Sequence, residues 1–178
     1  LNGLGLATAP FADIPDEHAL VRAIAEIGTP AILKTRTLGY DGKGQVRIAD
    51  AAAASRASLG DAPAILEGRV AFEREISVIG ARGRDGSVAC FDPGENVHEG
   101  GILHTTTVPA AITAAQRTDA VLLTARILTE LDYVGVMGVE LFVTERGLVV
   151  NEIAPRVHNS GHWTQDGCAI DQFEQHIR

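Results

Sequence analysis

Aromatic residues, cysteines and excess positive charge are all scarce in this sequence. One tryptophan, two tyrosines and two cysteines occur among 178 residues, and the formal net charge is −8. A general nucleic-acid binder usually carries a basic face, so we expect no nucleic acid as a partner. No apolar run approaches the roughly 20 residues of a transmembrane helix, so we expect no membrane partner either.

The start of the chain lacks the basic segment and apolar segment that together mark a secretory leader. We therefore expect a cytoplasmic location. Cys90 and Cys168 are far apart in the sequence, and we expect both to be reduced and structural rather than joined in a disulfide. The remaining composition, 46% hydrophobic and 21% charged, is ordinary for a globular protein of one large or two small domains.

Two apolar, β-branched runs near the C-terminal end flank a short polar break and predict a β-hairpin. Placing a three-residue loop at 145–147 pairs Glu140 with Glu152 on adjacent strands. Like charges directly opposite each other destabilise a sheet, so the pair points to a bound cation or a shared proton. With Asn151 beside them, the carboxylates offer the hard oxygen ligands that magnesium takes. A bulge that shifts the register, or a solvent-facing pair on an edge hairpin, would remove this site.

The segment after the hairpin, residues 151–164, is dense in polar side chains. Such density on a loop beside a carboxylate pair is typical of a binding site. Arg156 could hold a carboxylate, carbonate or phosphate group through two hydrogen bonds. His158 and His162 are four residues apart, but no third soft ligand lies nearby, which disfavours zinc. A purely structural loop is the alternative.

A glycine-rich segment, residues 39–45, follows a predicted strand that ends at Lys34. Exposed backbone N–H groups of such a loop can bind phosphate oxygens. The spacing is not that of a P-loop, and an ordinary flexible hairpin is the alternative. Glu67, Glu75 and His98 could contact a nucleotide, although each by itself could equally be a solvated surface group.

The pattern of apolar residues predicts an α+β fold of two lobes that meet near residue 73. Residues 1–12 are interpreted as a connecting segment and 92–101 as a loop. Helices are expected at 13–27, from Asp50 to Gly60 and at 113–131, and strands at 31–34, 46–48, 64–67, 73–82, 87–91 and 102–108.

Five motifs, in this order, resemble the ATP-grasp superfamily and, within it, the N5-carboxyaminoimidazole ribonucleotide synthetases. They are PAILK at 30–34, GYDGKGQ at 39–45, REISV at 74–78, YVGV at 133–136 and NEIAPRVHNSGHWT at 151–164. The last is the longest and the most specific, because other ATP-grasp ligases share only its first part. The resemblance covers nearly the whole chain and implies an ATP-grasp fold with a nucleotide bound between the sheets of two lobes.

The resemblance implies ATP as cofactor and assigns most of the candidate residues to it. Lys34 would contact the phosphates, Glu75 would bind the ribose hydroxyls, and His98 would lie near the nucleotide. The loop closing over the triphosphate would be Gly39, Tyr40, Asp41, Gly42, Lys43, Gly44 and Gln45. The segment holding adenine would be Glu67, Gly68, Arg69 and Val70.

The resemblance also implies a metal and two further substrates. Glu140 and Glu152 would coordinate Mg²⁺, with Mn²⁺ as a possible substitute and Asn151 beside them. Arg156 would hold bicarbonate and the carboxyphosphate made from it, and would be a catalytic residue together with Lys34. Asn159 and Ser160 would face the aminoimidazole ribonucleotide.

The implied activity is ATP-dependent carboxylation of aminoimidazole ribonucleotide in purine biosynthesis by a homodimeric ligase. The small lobe would be residues 1–73 and the large lobe 74–178, and the chain would be truncated at both ends relative to the family. Two alternatives stay open: another ATP-grasp carboxylase or ligase, such as a formate-dependent transformylase or a biotin carboxylase, or a truncated nucleotide-binding module without turnover.

Overall fold

A computed structural model describes residues 1–37, 44–54, 57 and 62–178. Within these ranges the chain forms two compact units. The smaller unit comprises Ala9–Ala71 and Gly100–Ile102, and the larger unit comprises Leu1–Thr8, Phe72–Glu99 and Leu103–Arg178.

This division differs from the predicted lobes, 1–73 and 74–178, at the N-terminal end of the chain. Leu1–Thr8 belongs to the larger unit, because its backbone pairs with a strand there. Val150 N–H donates to Ala7 O at 2.8 Å, and Thr8 forms an isolated parallel bridge with Val150. The segment read as a connector is therefore tied to the sheet of the larger unit.

The smaller unit is an antiparallel sheet with strand order β1-β4-β2-β3, packed against a helix. Its elements are β1 (Phe11–Ile14), α1 (Glu17–Ile27), β2 (Ala31–Thr35), β3 (Gln45–Ile48), α2 (Ala51–Ala54) and β4 (Ala64–Gly68). The helix predicted over 13–27 begins only at Glu17, because Asp16 is its N-cap and accepts a hydrogen bond from Ala19 N–H at 2.7 Å. Strand β1 lies in part of the sequence read as a connector and as the helix start.

The larger unit is built on a second antiparallel sheet, with strand order β10-β9-β5-β7-β8 and β6 paired to β5. Its elements are β5 (Arg74–Arg82), β6 (Val88–Cys90), β7 (Gly94–Glu99), β8 (Ile102–Thr107), α3 (Ala114–Glu130), β9 (Gly135–Thr144), β10 (Gly147–Ala154), α4 (Thr164–Gly167) and α5 (Gln172–Ile177). No helix among the described residues is long and apolar enough to cross a membrane.

Helix α3 covers one face of this sheet and leaves the other for polar groups. Ile76 and Val78 of β5, and Val139 and Leu141 of β9, pack with Leu128 of the helix in one buried cluster. Side chains alternate between the two faces of a strand. The residues between these apolar positions therefore point away from α3, and they are mostly polar.

The β9–β10 hairpin has a tighter turn than predicted and a bulge that offsets the difference. Gly147 pairs with Thr144, so the turn contains only two residues, and Val150 pairs with Leu141. The register then shifts between Val150 and Glu152, which leaves Glu152 opposite Glu140. The predicted turn was wrong by one residue, while the predicted carboxylate pair is confirmed.

Both cysteines are free, as predicted. Cys90 lies on β6, where burial raises the pKa of its thiol to about 11. A thiol with so high a pKa stays protonated at neutral pH and is a poor nucleophile. This agrees with a structural role for Cys90.

Candidate active site

The centre of the polar face is Glu140, whose side chain is only 13% exposed. It lies opposite Glu152, which is exposed, on the neighbouring strand. The bulge residue Asn151 donates a hydrogen bond from Nδ2 to Glu140 Oε2 at 3.2 Å. The hairpin therefore brings two carboxylates and an amide side chain to one place.

The surroundings of Glu140 disfavour its negative charge. Burial raises the pKa of the Glu140 carboxyl, and the charges of Glu152 and Glu75 raise it further, while His98 and Asn151 act in the opposite direction. A buried carboxylate beside two others is stabilised by a bound cation. The donor set of two carboxylates and an amide oxygen suits Mg²⁺ or Mn²⁺.

His98 approaches Glu140 from a strand that the sequence analysis read as a loop. It lies on β7, two residues after Asn96, which pairs with Glu75 of β5. His98 Nδ1–H donates to Glu75 Oε2 in a short hydrogen bond, and His98 Nε2 lies 4.0 Å from Glu140 Oε1. The bond to Glu75 raises the pKa of His98 above its usual value. The structure thus brings three predicted site residues, Glu75, His98 and Glu140, together.

A second histidine, His158, also lies near the same oxygen of Glu140. Its Nε2 lies 3.7 Å from Glu140 Oε1. Its Nδ1 accepts a hydrogen bond from Ser160 N–H and lies 2.8 Å from Ser160 Oγ. Burial, followed by the charge of Arg156, lowers the pKa of His158 to about 4. His158 is therefore neutral at pH 7. Because its Nδ1 accepts from Ser160 N–H, we assign the ring proton to Nε2, which is the nitrogen nearer Glu140.

His158 is not among the predicted site residues, because its spacing from His162 suggested only a zinc ligand. Its partner in that hypothesis, His162, instead stacks on Phe173 with ring centroids 5.8 Å apart. In the described ranges, no group of three or more His, Cys, Asp or Glu side chains could hold a metal ion. The only sequence signal for His158 was its place in the polar segment beside the carboxylate pair.

The remaining predicted residues of this loop differ in their exposure. Arg156 is exposed, and its Nη1 donates to Val157 O at 2.9 Å. Asn159 is also exposed, whereas Ser160 is buried and engaged by His158. Arg156 and Asn159 are therefore accessible to a small molecule, whereas Ser160 is buried and contacts His158.

Adding one methyl group at Gly161 is expected to destabilise this loop. A Cβ built there would lie 2.4 Å from Gln172 Oε1 and 2.9 Å from Ile79 Cγ1. Because overpacking a buried site costs about 1–3 kcal/mol, Gly161→Ala should lower the melting temperature by about 2–12 °C. The control is Gly3→Ala, since nothing lies within 4 Å of a Cβ there. Equal melting temperatures for both variants would contradict the tight packing.

In the smaller unit, two predicted nucleotide residues form an ion pair. Lys34 Nζ lies 2.5 Å from Glu67 Oε2, and both side chains are about one-fifth exposed, 22% and 21%. Lys34 is on β2 and Glu67 on β4, which are neighbouring strands. Lys34, which is predicted to contact a phosphate, and Glu67, which is predicted to contact adenine, thus lie side by side.

The residues around this pair have their backbones fixed by hydrogen bonds. Gly68 N–H donates to Pro10 O at 2.8 Å, and Arg69 N–H donates to Pro30 O at 3.1 Å. Gln45 pairs with Lys34 across β2 and β3, and Gly44 O accepts from Thr35 N–H. Val70 is half-buried. Gly39, Tyr40, Asp41, Gly42 and Lys43 lie outside the described residues.

Comparison with known proteins agrees with the chemistry of these residues. Residues 1–173 match the profile of the ATP-grasp domain. The chain belongs to the ATP-grasp family. Its fold accordingly is an ATP-grasp fold of the α+β class, as predicted.

Among characterised relatives, the chain is similar to N5-carboxyaminoimidazole ribonucleotide synthases. It is 56% identical to the synthase of Brucella melitensis biotype 1 over 100% of its own length and 51% of the relative's. It also resembles a solved N5-carboxyaminoimidazole ribonucleotide synthetase in complex with ADP, with a TM-score of 0.94, 43% identity, and coverage of 99% of this chain and 48% of that one.

A third relative was solved with two ligands bound. It is the N5-carboxyaminoimidazole synthase of Aspergillus clavatus, in complex with ADP and 5-aminoimidazole ribonucleotide. The TM-score is 0.92 and the identity 30%, over 100% of this chain and 47% of that one. The chain thus spans about half the length of the relatives it matches.

Proposed function

We propose that this ATP-grasp chain takes part in the ATP-dependent carboxylation of 5-aminoimidazole ribonucleotide. Bicarbonate would be activated to carboxyphosphate and the product would be N5-carboxyaminoimidazole ribonucleotide, in purine biosynthesis. The observation that carries the proposal is the pairing of Glu140 with Glu152, directly followed by a polar loop that presents Arg156. The names of the similar proteins support the same reaction.

Each unit contributes residues that we assign to ATP. In the smaller unit, Lys34 would neutralise phosphate charge, residues 39–45 would cover the triphosphate, and residues 67–70 would hold adenine. In the larger unit, Glu75 would bind the ribose hydroxyls and His98 would lie near the nucleotide. The Glu75–His98 hydrogen bond supports this, because it fixes both side chains beside Glu140.

Glu140 and Glu152 would hold the magnesium ion, with Asn151 orienting Glu140 through its amide. When bound, the ion would supply positive charge to the phosphate oxygens during transfer. Arg156 would bind bicarbonate and orient its oxygen towards the γ-phosphorus. Neutral His158 would keep its Nε2–H directed towards Glu140 without adding a second positive charge beside Arg156.

The second step would form the new carbon–nitrogen bond. The amine of the ribonucleotide would attack the carboxyl carbon of carboxyphosphate, or carbon dioxide released from it, and inorganic phosphate would leave. Asn159 would face the ribonucleotide, and Ser160 would act through His158. As the family resemblance implies, the protein would be a cytoplasmic homodimer.

The proposal is tested by ADP release from the chain with Mg·ATP, bicarbonate and aminoimidazole ribonucleotide, each omitted in turn. A companion protein replaces the matching half of the Brucella melitensis synthase with this chain and supplies the rest of the relative's length. Bicarbonate-dependent ADP release that the ribonucleotide stimulates is the expected result. If the chimaera binds Mg·ATP but shows no bicarbonate-dependent ADP release, the proposal is wrong.

The same assay, repeated with formate and with biotin, decides between the two alternatives. Formate-dependent or biotin-dependent ADP release would identify another ATP-grasp carboxylase or ligase. Nucleotide binding without turnover under any condition would identify a binding module. The run from Arg156 to Trp163 disfavours another carboxylase or ligase, because the synthetase-like part of the resemblance rests on it.

A further inference from the structure

The side chain of Gln172 is fully buried at the start of α5 and binds the backbone of an active-site residue. His158 N–H donates to Gln172 Oε1 at 2.9 Å, and Gln172 Nε2 donates to His158 O at 2.8 Å. One amide thus satisfies both main-chain polar groups of a residue 14 positions earlier. Two bonds to one residue fix the orientation of its backbone as well as its position.

We propose that Gln172 is a positioning residue for the active site, acting through His158. This inference rests on the proposed function, because it gives Gln172 a part in the same reaction. The hydrogen bonds of Gln172 go to His158 and Thr164 rather than to the carboxylate pair. Its effect on the reaction is to set the direction in which the His158 ring leaves the main chain.

The surroundings of Gln172 hold it in one orientation. Gln172 N–H donates to Thr164 Oγ1 at 3.0 Å, and Thr164 Oγ1–H donates to Gly161 O at 2.6 Å. Thr164 is also fully buried. Gly161 has no side chain, and a Cβ there would lie only 2.4 Å from Gln172 Oε1. The amide therefore sits in a polar network whose members all have partners.

With its backbone fixed, the His158 ring has little freedom. On one side, a Cβ built at Gly138 of β9 would lie 2.7 Å from His158 Cβ, so the ring is close against the strand. On the other, His158 Nδ1 accepts from Ser160 N–H. The remaining ring nitrogen, Nε2, is left to face Glu140 Oε1 at 3.7 Å.

A hydrophobic side chain of similar volume would fill the same space without making these bonds. Methionine at position 172 would leave His158 N–H and His158 O buried without partners, and the peptide planes around them would turn to find others. Small displacements of a group beside reacting atoms can lower a rate by about 100-fold. The loss would appear in turnover rather than in nucleotide affinity, since the hydrogen bonds of Gln172 go to His158 and Thr164 and not to the residues assigned to adenine or ribose.

The test compares Gln172→Met and Gln172→Glu with Gln165→Met, an exposed glutamine on neighbouring α4. In the chimaera carrying Gln172→Met, kcat for bicarbonate-dependent ADP release should fall about 10- to 100-fold with the KM for ATP unchanged. Gln172→Glu keeps the acceptor for His158 N–H and should have an intermediate kcat. If Gln172→Met does not fold, the comparison is made with Gln172→Glu alone. Gln165→Met should match the wild type.

A second measurement does not depend on activity. Two-bond ¹H–¹⁵N correlations of the imidazole ring should show a proton on Nε2 of His158 in the wild type and a mixture of tautomers in Gln172→Met. Unchanged ring signals, or changed signals with an unchanged kcat, would overturn the positioning role. If the wild-type chimaera binds Mg·ATP but releases no ADP, the proposed function fails, while changed ring signals would still support the control of His158 by Gln172.

Discussion

Replacing Glu140 with glutamine is expected to abolish the magnesium dependence of ATP binding. The substitution removes one of two facing carboxylates while keeping the shape of the side chain and the hydrogen bond from Asn151. Even outer-shell partners of a metal ion are worth about 10- to 100-fold in affinity. We therefore expect the loss of a direct ligand to weaken Mg·ATP binding by more than about 100-fold, measured by titration calorimetry with and without Mg²⁺.

The matched control is Glu145→Gln, which removes an exposed carboxylate from the turn of the same hairpin. It should leave the affinity for Mg·ATP unchanged. In the absence of divalent ions, Glu140→Gln should also unfold at a higher temperature than the wild type, because it removes a carboxylate whose charge is disfavoured by burial and by Glu152. A variant with wild-type Mg·ATP affinity would refute the metal assignment.

Lowering the pH from 6.5 to 4 is expected to reduce the stability of the larger unit by about 3 kcal/mol through His158 alone. Its pKa is lowered from 6.5 to about 4 in the folded state. Between these values the unfolded chain binds a proton that the folded chain does not, so the stabilisation is present above pH 6.5 and is lost as the pH falls. Each pH unit in this window contributes about 1.4 kcal/mol.

This pH dependence can be isolated by comparing wild type with His158→Gln in urea unfolding. The raised pKa of Glu140 has the opposite effect, because it adds stability as the pH falls through that pKa, so only the difference between the two proteins reports on His158. The single tryptophan, Trp163, lies in the larger unit and supplies the fluorescence signal. His18→Gln, an exposed histidine of the smaller unit, is the control. Parallel stability curves for wild type and His158→Gln would refute the lowered pKa.

The carboxylate pair could be predicted from the sequence, although the turn that leads to it could not. The prediction assumed a three-residue loop, and the structure has a two-residue turn followed by a bulge at Asn151. A three-residue loop, and a two-residue turn followed by one bulge residue, both place Glu152 opposite Glu140. Turn length and bulge position are decided by tertiary packing, whereas the two apolar runs that form the strands are visible in the sequence.

Strand β7 and the role of His158 could not be predicted, for two different physical reasons. Residues 94–99 contain glycine, glutamates and asparagine, which have low β-propensity, and they are a strand because β5 and β8 flank them. The position of the His158 backbone is set by hydrogen bonds to the buried side-chain amide of Gln172, which is 14 residues away in the sequence. No local pattern marks such a contact. The same limit applies to strand β1, whose residues were interpreted partly as a connecting segment and partly as the start of a helix, and which pairs with the distant strand β4.

The attachment of Leu1–Thr8 to Val150 also bears on aggregation through the open edge of the larger sheet. Strand β10 is at the end of the larger sheet, and an open sheet edge is a template on which further chains can add strands. Ala7 and Thr8 occupy part of that edge. A shortened protein beginning at residue 9 would keep every residue proposed for the active site. It would also expose a β-edge to intermolecular pairing. We therefore expect such a protein to aggregate although its active-site residues are intact.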